Sequence, residues 1–341
     1  MIPEDVTLEE VAREKIATYR QFVAQPVDEA DPTSPWITGR PRALRAVKKV
    51  LGASNYQARE GVNTGGANGV YWLEIIGRRP DRLAVVSNLT EGAKRKTENV
   101  QAAIEPDLLY PLLRGRDVGR WQATPSAYIL VTHKPGMKLK AIPEDEMAVR
   151  LPKTYTYLKR FEDVLWQRKS QSVRRLMEGG AFYSMFAVGS YTFAPYKVVW
   201  REVSHCLDAA VAEQQDQPSI EMKCVVPDHT LILIACQEKD EAHFVCAALN
   251  SSPSRFVVQN YIVLHPDPHI LQRVSVPRYD PTNPIHRQLS ALSQQAHQAT
   301  AAGDTARVQV IEAESDQLAA QLWGLMKEEL REIQESLAEL K

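Results

Sequence analysis

Val70-Tyr71-Trp72-Leu73-Glu74-Ile75-Ile76 is the stretch on which the fold turns. Aromatic and β-branched side chains dominate it, as in a half-buried strand. The same composition returns in Leu83-Ala84-Val85-Val86, Tyr128-Ile129-Leu130-Val131, Tyr196-Lys197-Val198-Val199-Trp200 and His229-Thr230-Leu231-Ile232-Leu233-Ile234, with turn formers between them. Helical stretches intervene at about 155–178 and about 241–249. The expectation is an α+β fold: a mixed or antiparallel β-sheet with flanking helices and a helical C-terminal segment. No repeat or low-complexity tract interrupts it.

Towards the N-terminus the pattern turns helical from Leu8 to Ala24, where Val11, Ile16, Tyr19, Phe22 and Val23 are apolar positions among acids and Thr7 can cap. Pro26, Pro32 and Pro35 stop any helix and imply an extended connector. Towards the C-terminus Ile311, Ser315, Leu318, Leu322 and Leu325 step by four and three. Met326, Leu330, Ile333, Leu337 and Leu340 repeat the rhythm after a slip at Gly324. Two amphipathic helices, or one with a break, would bury this seam against the body or against a partner. The expected division is 1–35 as an acidic helical segment and linker, 36–290 as the main body, and 291–341 as C-terminal helices.

At 341 residues and 44% hydrophobic, the chain can build a packed core. Its opening is acidic, and nothing approaches the roughly 18 apolar residues of a membrane span, so a cytoplasmic location without a membrane partner is expected. Cys206, Cys224, Cys236 and Cys246 show no zinc-type spacing and suit core packing as reduced thiols. The histidines form no ligand spacing either, so no metal is expected.

A net charge of −1 conceals a division along the chain. Residues 1–35 and residues 304–341 each carry −5, which leaves +9 on the stretch between them. A basic centre is what phosphate contact requires, although charge runs also occur as solvated faces. Arg42, Arg45 and Lys49 share one helical face opposite Leu44, Val47 and Leu51, a pattern suited to a phosphate-contact helix. The densest basic run is 153–175, with Lys153, Lys159, Arg160, Arg168, Lys169, Arg174 and Arg175 against Glu162 and Asp163. Leu158, Phe161 and Leu165 make an apolar helix face there, leaving the bases for phosphates, or for a protein partner.

Three short segments carry chemistry of their own. In Arg59-Glu60-Gly61-Val62-Asn63-Thr64, with Gly65, Gly66, Asn68 and Gly69 after it, glycines let backbone approach a ligand while Arg59, Thr64 and Asn68 offer donors for phosphate or a base edge. A flexible turn would look the same. In Leu113-Arg114-Gly115-Arg116-Asp117-Val118-Gly119-Arg120-Trp121, the guanidinium groups of Arg114, Arg116 and Arg120 stand beside Trp121. They can read guanine or hold phosphate with Asp117 orienting one of them, or an Arg116–Asp117 network can simply fasten a loop. The third segment is Ala248-Leu249-Asn250-Ser251-Ser252.

Arg59-x-Gly61-x-x-Thr64 with Asn68 and a following strand resembles the opening of the TaqI-like C-terminal specificity domain. That domain occurs in type II enzymes that fuse methylation to restriction and in related phage-defence methyltransferases. Leu113-Arg114-Gly115-Arg116-Asp117-Val118 is similar to the family's leucine, arginine or lysine, glycine, arginine, aspartate, isoleucine segment. Leu249-Asn250-Ser251 resembles its leucine-asparagine-serine turn, and Ile311 to Leu340, with Leu322-Trp323-Gly324-Leu325 and Glu328-Glu329, its closing helices. The resemblance covers about 56–341 and implies that 36–290 is a DNA target-recognition domain. It further implies double-stranded DNA as ligand, an adenine-specific methyltransferase catalytic subunit as partner, and S-adenosylmethionine bound by that partner.

The target-base motif of amino-methyltransferases and their glycine-rich cofactor loop do not occur in the sequence, so catalysis by this chain is not expected. Pro227-Asp228 followed by Gln237-Glu238-Lys239 imitates a nuclease motif, but a strand-like run separates its two halves. The expected function is therefore DNA sequence recognition, by a specificity subunit or a detached C-terminal part. The rivals are a protein-interaction scaffold in a defence complex and, more remotely, a metal-dependent nuclease.

Overall fold

The computed structural model describes residues 7, 22–27, 31–34, 36–91, 95, 97–136, 140–217, 220–261 and 268–340. Two β-sheets organise them, and the fold is α+β. The larger sheet has six strands in the order Val226–Pro227, Leu109–Leu113, Ala127–Leu130, Trp72–Arg78, Ala84–Asn88 and Gln101–Ile104. All its pairs are antiparallel except Val226–Pro227, which runs parallel to Leu112–Leu113. The smaller sheet is antiparallel throughout, with four strands in the order Ala210–Glu213, Tyr196–Arg201, Leu231–Cys236 and Ala58–Glu60.

Strand periodicity explains how the smaller sheet is covered. On Leu231–Cys236, Ile232, Ile234 and Cys236 enter one hydrophobic core while Leu231 and Leu233 enter another, because successive side chains take opposite faces. The first core is made with helices Pro41–Val47, Lys239–Asn250, Ser252–Tyr261, Pro284–Ala301, Thr305–Leu322 and Lys327–Glu339. The six-stranded sheet builds a separate core with helices Glu144–Arg150, Pro152–Lys159 and Glu162–Trp166. A small cluster of Leu113, Val118, Val199, Ala210, Val225, Leu231 and Leu233 joins the two sheets.

The strand-like stretches named above contain strands, with two adjustments: Asn68–Tyr71 is a helical turn, so that strand begins at Trp72, and His229–Thr230 form a turn before the strand Leu231–Cys236. Tyr71 is fully buried there and donates its hydroxyl to the Tyr183 carbonyl at 2.9 Å. Stretch 155–178 is three helices rather than one, Pro152–Lys159, Glu162–Trp166 and Gln171–Glu178. The second break has a visible cause: Arg168 turns inwards and its Nε donates to the Leu165 carbonyl, the last turn of the preceding helix. Helix Pro284–Ala301 starts before the helical segment expected from 291, and small and polar residues, such as Ser290, Ser293 and Ala296, occupy much of its buried stripe.

The C-terminal seam closes on the chain itself. Ile311, Leu330, Ile333 and Leu337 lie in the same core as Leu44 and Val47, and each fully buried aliphatic side chain contributes about 1.5–3 kcal/mol. Gly303 and Gly324, at φ +72° and +63°, follow the ends of helices Pro284–Ala301 and Thr305–Leu322. Helix 8–24, expected at the N-terminus, falls mostly outside the described residues. Its last two positions belong instead to a strand, Val23–Pro26, paired antiparallel with Trp36–Gly39. No helix among the described residues is long and apolar enough to cross a membrane, and all four cysteines are free thiols.

The basic face of Pro41–Val47 meets the acidic helix Lys327–Glu339. Lys49 Nζ pairs with Glu329 at 2.7 Å and donates to the Gly324 carbonyl at 3.0 Å. Arg40 reaches Glu335 and Glu339, and Arg42 lies 3.5 Å from Glu332 with its side chain still exposed. Arg45 is exposed. Within the chain, the Lys49 charge is met by the acidic C-terminal helix, although its side chain stays 40% exposed.

Candidate nucleic-acid interface

Three chain segments meet where the two sheets join, and two of the sequence segments are among them. Gly61–Thr64 leaves the edge strand of the smaller sheet and leads to the larger one. On the way Val62 bridges Asp228 and Asn63 bridges Phe186. Segment 113–121 leaves the larger sheet, and its Trp121 N–H donates to the Ala209 carbonyl at 3.1 Å. Pro227–Leu231 is the third segment, running from the larger sheet to the smaller. Its Asp228 N–H donates to the Leu113 carbonyl at 2.9 Å and its His229 N–H to the Val62 carbonyl at 3.0 Å.

Polar side chains lock this junction. Thr230 accepts from the Gly115 N–H at 2.8 Å and donates to Asp228. Burial pushes the Asp228 carboxyl above the usual carboxylate range, against the pull of Thr230, His229 and Arg114. Asp117 accepts from the Arg114 N–H at 2.9 Å and from its Nε at 3.3 Å. Arg114 also donates to Ser126 and stands over the Trp72 ring, with only 8% of the residue exposed. Arg116, by contrast, has 71% of its side chain in solvent, 3.9 Å from Asp117.

Arg120 and Trp121 face the helical core. Arg120 pairs with Glu312 at 2.8 Å and donates to the Asn250 carbonyl at 2.9 Å. Trp121 is buried at φ +61°, with its indole N–H on Glu312 at 2.7 Å and its ring edge-on to His297. The Asn250 side chain brackets Ala209, accepting from its N–H at 2.9 Å and donating to its carbonyl at 2.8 Å. Of the expected contacts, Arg114, Arg120 and Trp121 are therefore corrected to internal fasteners, since their polar groups are engaged by the chain.

His297 gives this network a pH dependence. Burial is the main cause that lowers its pKa to about 4, with His243 and Lys239 adding to it while the Ser293 carbonyl and Glu213 oppose. The folded state therefore holds it neutral, accepting from the Val211 N–H at 2.9 Å. The unfolded chain protonates it near 6.5, so stability is full above that pH and falls as pH drops towards 4, by about 3 kcal/mol. Urea unfolding at pH 7 and pH 4.5 should show this loss in the wild type and little of it in His297→Gln, whose amide oxygen can still accept from Val211. An equal acid loss in both proteins would contradict the assignment.

One cleft gathers the first segment and part of the basic run. It has a volume of about 490 Å³; Asn63, Gly65, Gly66 and Asn68 line it together with Arg95, Lys169, Ser170 and His229. Asn68 accepts a hydrogen bond from Thr64, which is itself buried. Beneath the loop lies Arg168, 1% exposed, donating to the carbonyls of Thr64 at 3.2 Å, Ser184 at 2.7 Å and Phe182 at 2.6 Å. Arg168 too is corrected: it holds the loop from below and does not reach solvent.

The remaining expected residues lie on the surface. Arg59 is exposed on the edge strand, held by Gln57 at 2.6 Å and lying over the Tyr191 ring. Lys159 is paired with Glu162 at 2.8 Å. Lys169, Arg174 and Arg175 are exposed, and Trp166 keeps 46% of its surface in solvent beside them. Sequence reading missed Arg95, although the basic triplet Lys94-Arg95-Lys96 was a signal that could have found it. Nothing in the sequence marked His229 as a cleft residue.

The nuclease-like pair is divided by its own strand. Asp228 precedes and Lys239 follows Leu231–Cys236, a strand of about 20 Å, and Lys239 is paired with Glu213 at 2.8 Å. Among the described residues no group of three or more His, Cys, Asp or Glu side chains could hold a metal ion.

No protein-family model matches the chain. Among curated proteins it is similar to the type II methyltransferase M.NspV of Nostoc sp., 29% identical over 157 residues. The match takes in 45% of this chain and 29% of that protein's length. Among solved structures it is similar to the type IIL restriction-modification enzyme MmeI in complex with DNA, with a TM-score of 0.48 and 9% identity. That likeness covers 84% of this chain and 35% of the MmeI chain.

Proposed function

We propose that this chain binds double-stranded DNA and selects its sequence for an adenine-specific methyltransferase of a restriction-modification or phage-defence system. In this reading it is a specificity subunit or the recognition part of a longer protein, folded as a TaqI-like recognition domain. S-adenosylmethionine and the transfer chemistry belong to the catalytic subunit. The observation that carries the proposal is the sequence similarity to a type II methyltransferase, over a minor part of that protein's length. The exposed bases around the Asn63–Ser170 cleft support it, since a duplex is held through cations on phosphates and read through flexible side chains in its grooves. Arg59, Arg116, Lys169, Arg174 and Arg175 are the candidates for those contacts, and Asn68, which lines the cleft, is the neutral group able to meet a base edge.

The test is selection from a pool of random duplexes at two salt concentrations, followed by sequencing of the retained fraction. The expected result is enrichment of one short motif, with retention that weakens as salt rises. Absence of retention at low salt would overturn the reading. Reversing the charges of Lys169 and Arg116 separates a reader from a scaffold: a reader loses its DNA, whereas a scaffold keeps its methyltransferase partner and has no DNA to lose.

A further inference from the structure

Four other clefts in the molecule each include at least one Asp or Glu, whereas the lining of the Asn63–Ser170 cleft holds two cations and no carboxylate. Arg168 lies directly beneath it. Its acceptors are three backbone carbonyls around the loop, the Leu165 carbonyl and the Met177 sulfur, all of them neutral. A buried charge is normally met by an opposite one. Among the described residues no carboxylate meets this one, and burial lowers the pKa of the guanidinium.

The backbone keeps the space above Arg168 open. Gly65 and Gly66 are both left-handed, at φ +67° and +84°. A Cβ on Gly65 would press on Val173 Cγ2 at 3.1 Å and on Arg168 Cδ at 3.2 Å, so the turn rests on both side chains. A Cβ on Gly66 would find only Arg95 Nε, at 4.0 Å. Arg95 thus reaches over the turn from one side. Lys169 and Ser170 approach from another, at the first turn of helix Gln171–Glu178.

We propose that this cleft is a phosphate site, in which Arg95 and Lys169 contact the anion, Ser170 donates to it, and Arg168 supplies the positive potential from below. The inference rests on the DNA reading in one respect: it takes the phosphate to be a backbone phosphodiester of the duplex, although free inorganic phosphate has the same chemistry. Three cations around one open turn, with no acid among the lining residues, favour a compact anion over a neutral ligand or a cation.

The experiment uses the full chain and its Lys169→Glu and Arg95→Glu variants, with Arg150→Glu as a surface control, and two probes. The first is a random-sequence duplex, bound at several salt concentrations. Expected is an affinity loss of tenfold or more in either cleft variant, a log–log salt slope shallower by about one, and no change in the control. The second is inorganic phosphate, read as a Tm shift against chloride at matched ionic strength; the wild type should gain more than Lys169→Glu. Duplex binding that is indifferent to both cleft variants would overturn the phosphate site and leave DNA recognition standing. A phosphate shift lost in Lys169→Glu, without duplex binding, would keep the site and remove the DNA reading. Binding of neither probe would remove both.

Discussion

Gly61→Ala is expected to lower the unfolding free energy by about 4 kcal/mol or more, the upper end of what one substitution does. A Cβ at this position would lie 2.1 Å from the Asp228 carbonyl oxygen, 2.6 Å from its carbon and 2.7 Å from the Pro227 oxygen. All three atoms are backbone, and backbone hydrogen bonds hold them on both sides. Gly61 N–H donates to Leu231, Val62 N–H to Pro227 and Asp228 N–H to Leu113. No rotamer can relieve the contact, so the segments Gly61–Thr64 and Pro227–Leu231 must move apart. Gly66→Ala is the matched comparison: its Cβ meets only Arg95 Nε at an ordinary 4.0 Å, and the variant carries the strain of φ +84°, about 1–2 kcal/mol. Urea unfolding of both variants checks the contrast. Equal midpoints would mean that the segments are not packed this closely. Against a typical domain stability of about 5–15 kcal/mol, the first variant should also express poorly.

The same junction shows where sequence reading succeeds and where it stops. Leu231–Cys236 and Tyr196–Arg201 are legible because a buried strand is written in its own residues: branched and aromatic side chains in an unbroken short run. The seam of Leu330, Ile333 and Leu337 is legible for the same reason, as a helical period. What the seam packs against is not local. Neither Pro41–Val47 nor Lys327–Glu339 contains any sign that Lys49 and Glu329 meet across some 280 positions. The chain's basic centre therefore looked freer in sequence than it is in the fold. Charge alone also could not separate Arg168 from Lys169. One residue of phase decides that the first goes under the loop and the second into the cleft. Arg114, Arg120 and Trp121 form a similar lesson, since a segment rich in guanidinium groups describes an internal tie as well as a nucleic-acid contact.

Arg168→Met is the second large effect, and two contributions of opposite sign decide its size. The substitution removes a buried cation that no carboxylate of the described chain meets, which by itself favours the variant. It also removes the guanidinium donors to the carbonyls of Thr64, Phe182 and Ser184, at about 1–3 kcal/mol for a buried group left unsatisfied, while the Leu165 carbonyl keeps the backbone N–H of residue 168 at 3.3 Å. With three acceptors losing the guanidinium against one charge relieved, the loss outweighs the gain, so a net destabilisation of about 3 kcal/mol is expected in urea unfolding. Arg168→Lys keeps the charge but not the fork of donors and should fall between Met and the wild type. Anion binding should follow a different order. Lys at this position retains the potential under the cleft and should hold inorganic phosphate nearly as well as Arg, whereas Met should not, at temperatures where all three proteins are folded. If Met proves as stable as Arg, the guanidinium is a net burden on folding, and the phosphate comparison then shows whether its charge is kept for the ligand above it. If Met is both as stable and as good a phosphate binder, the charge beneath the cleft has no part in binding.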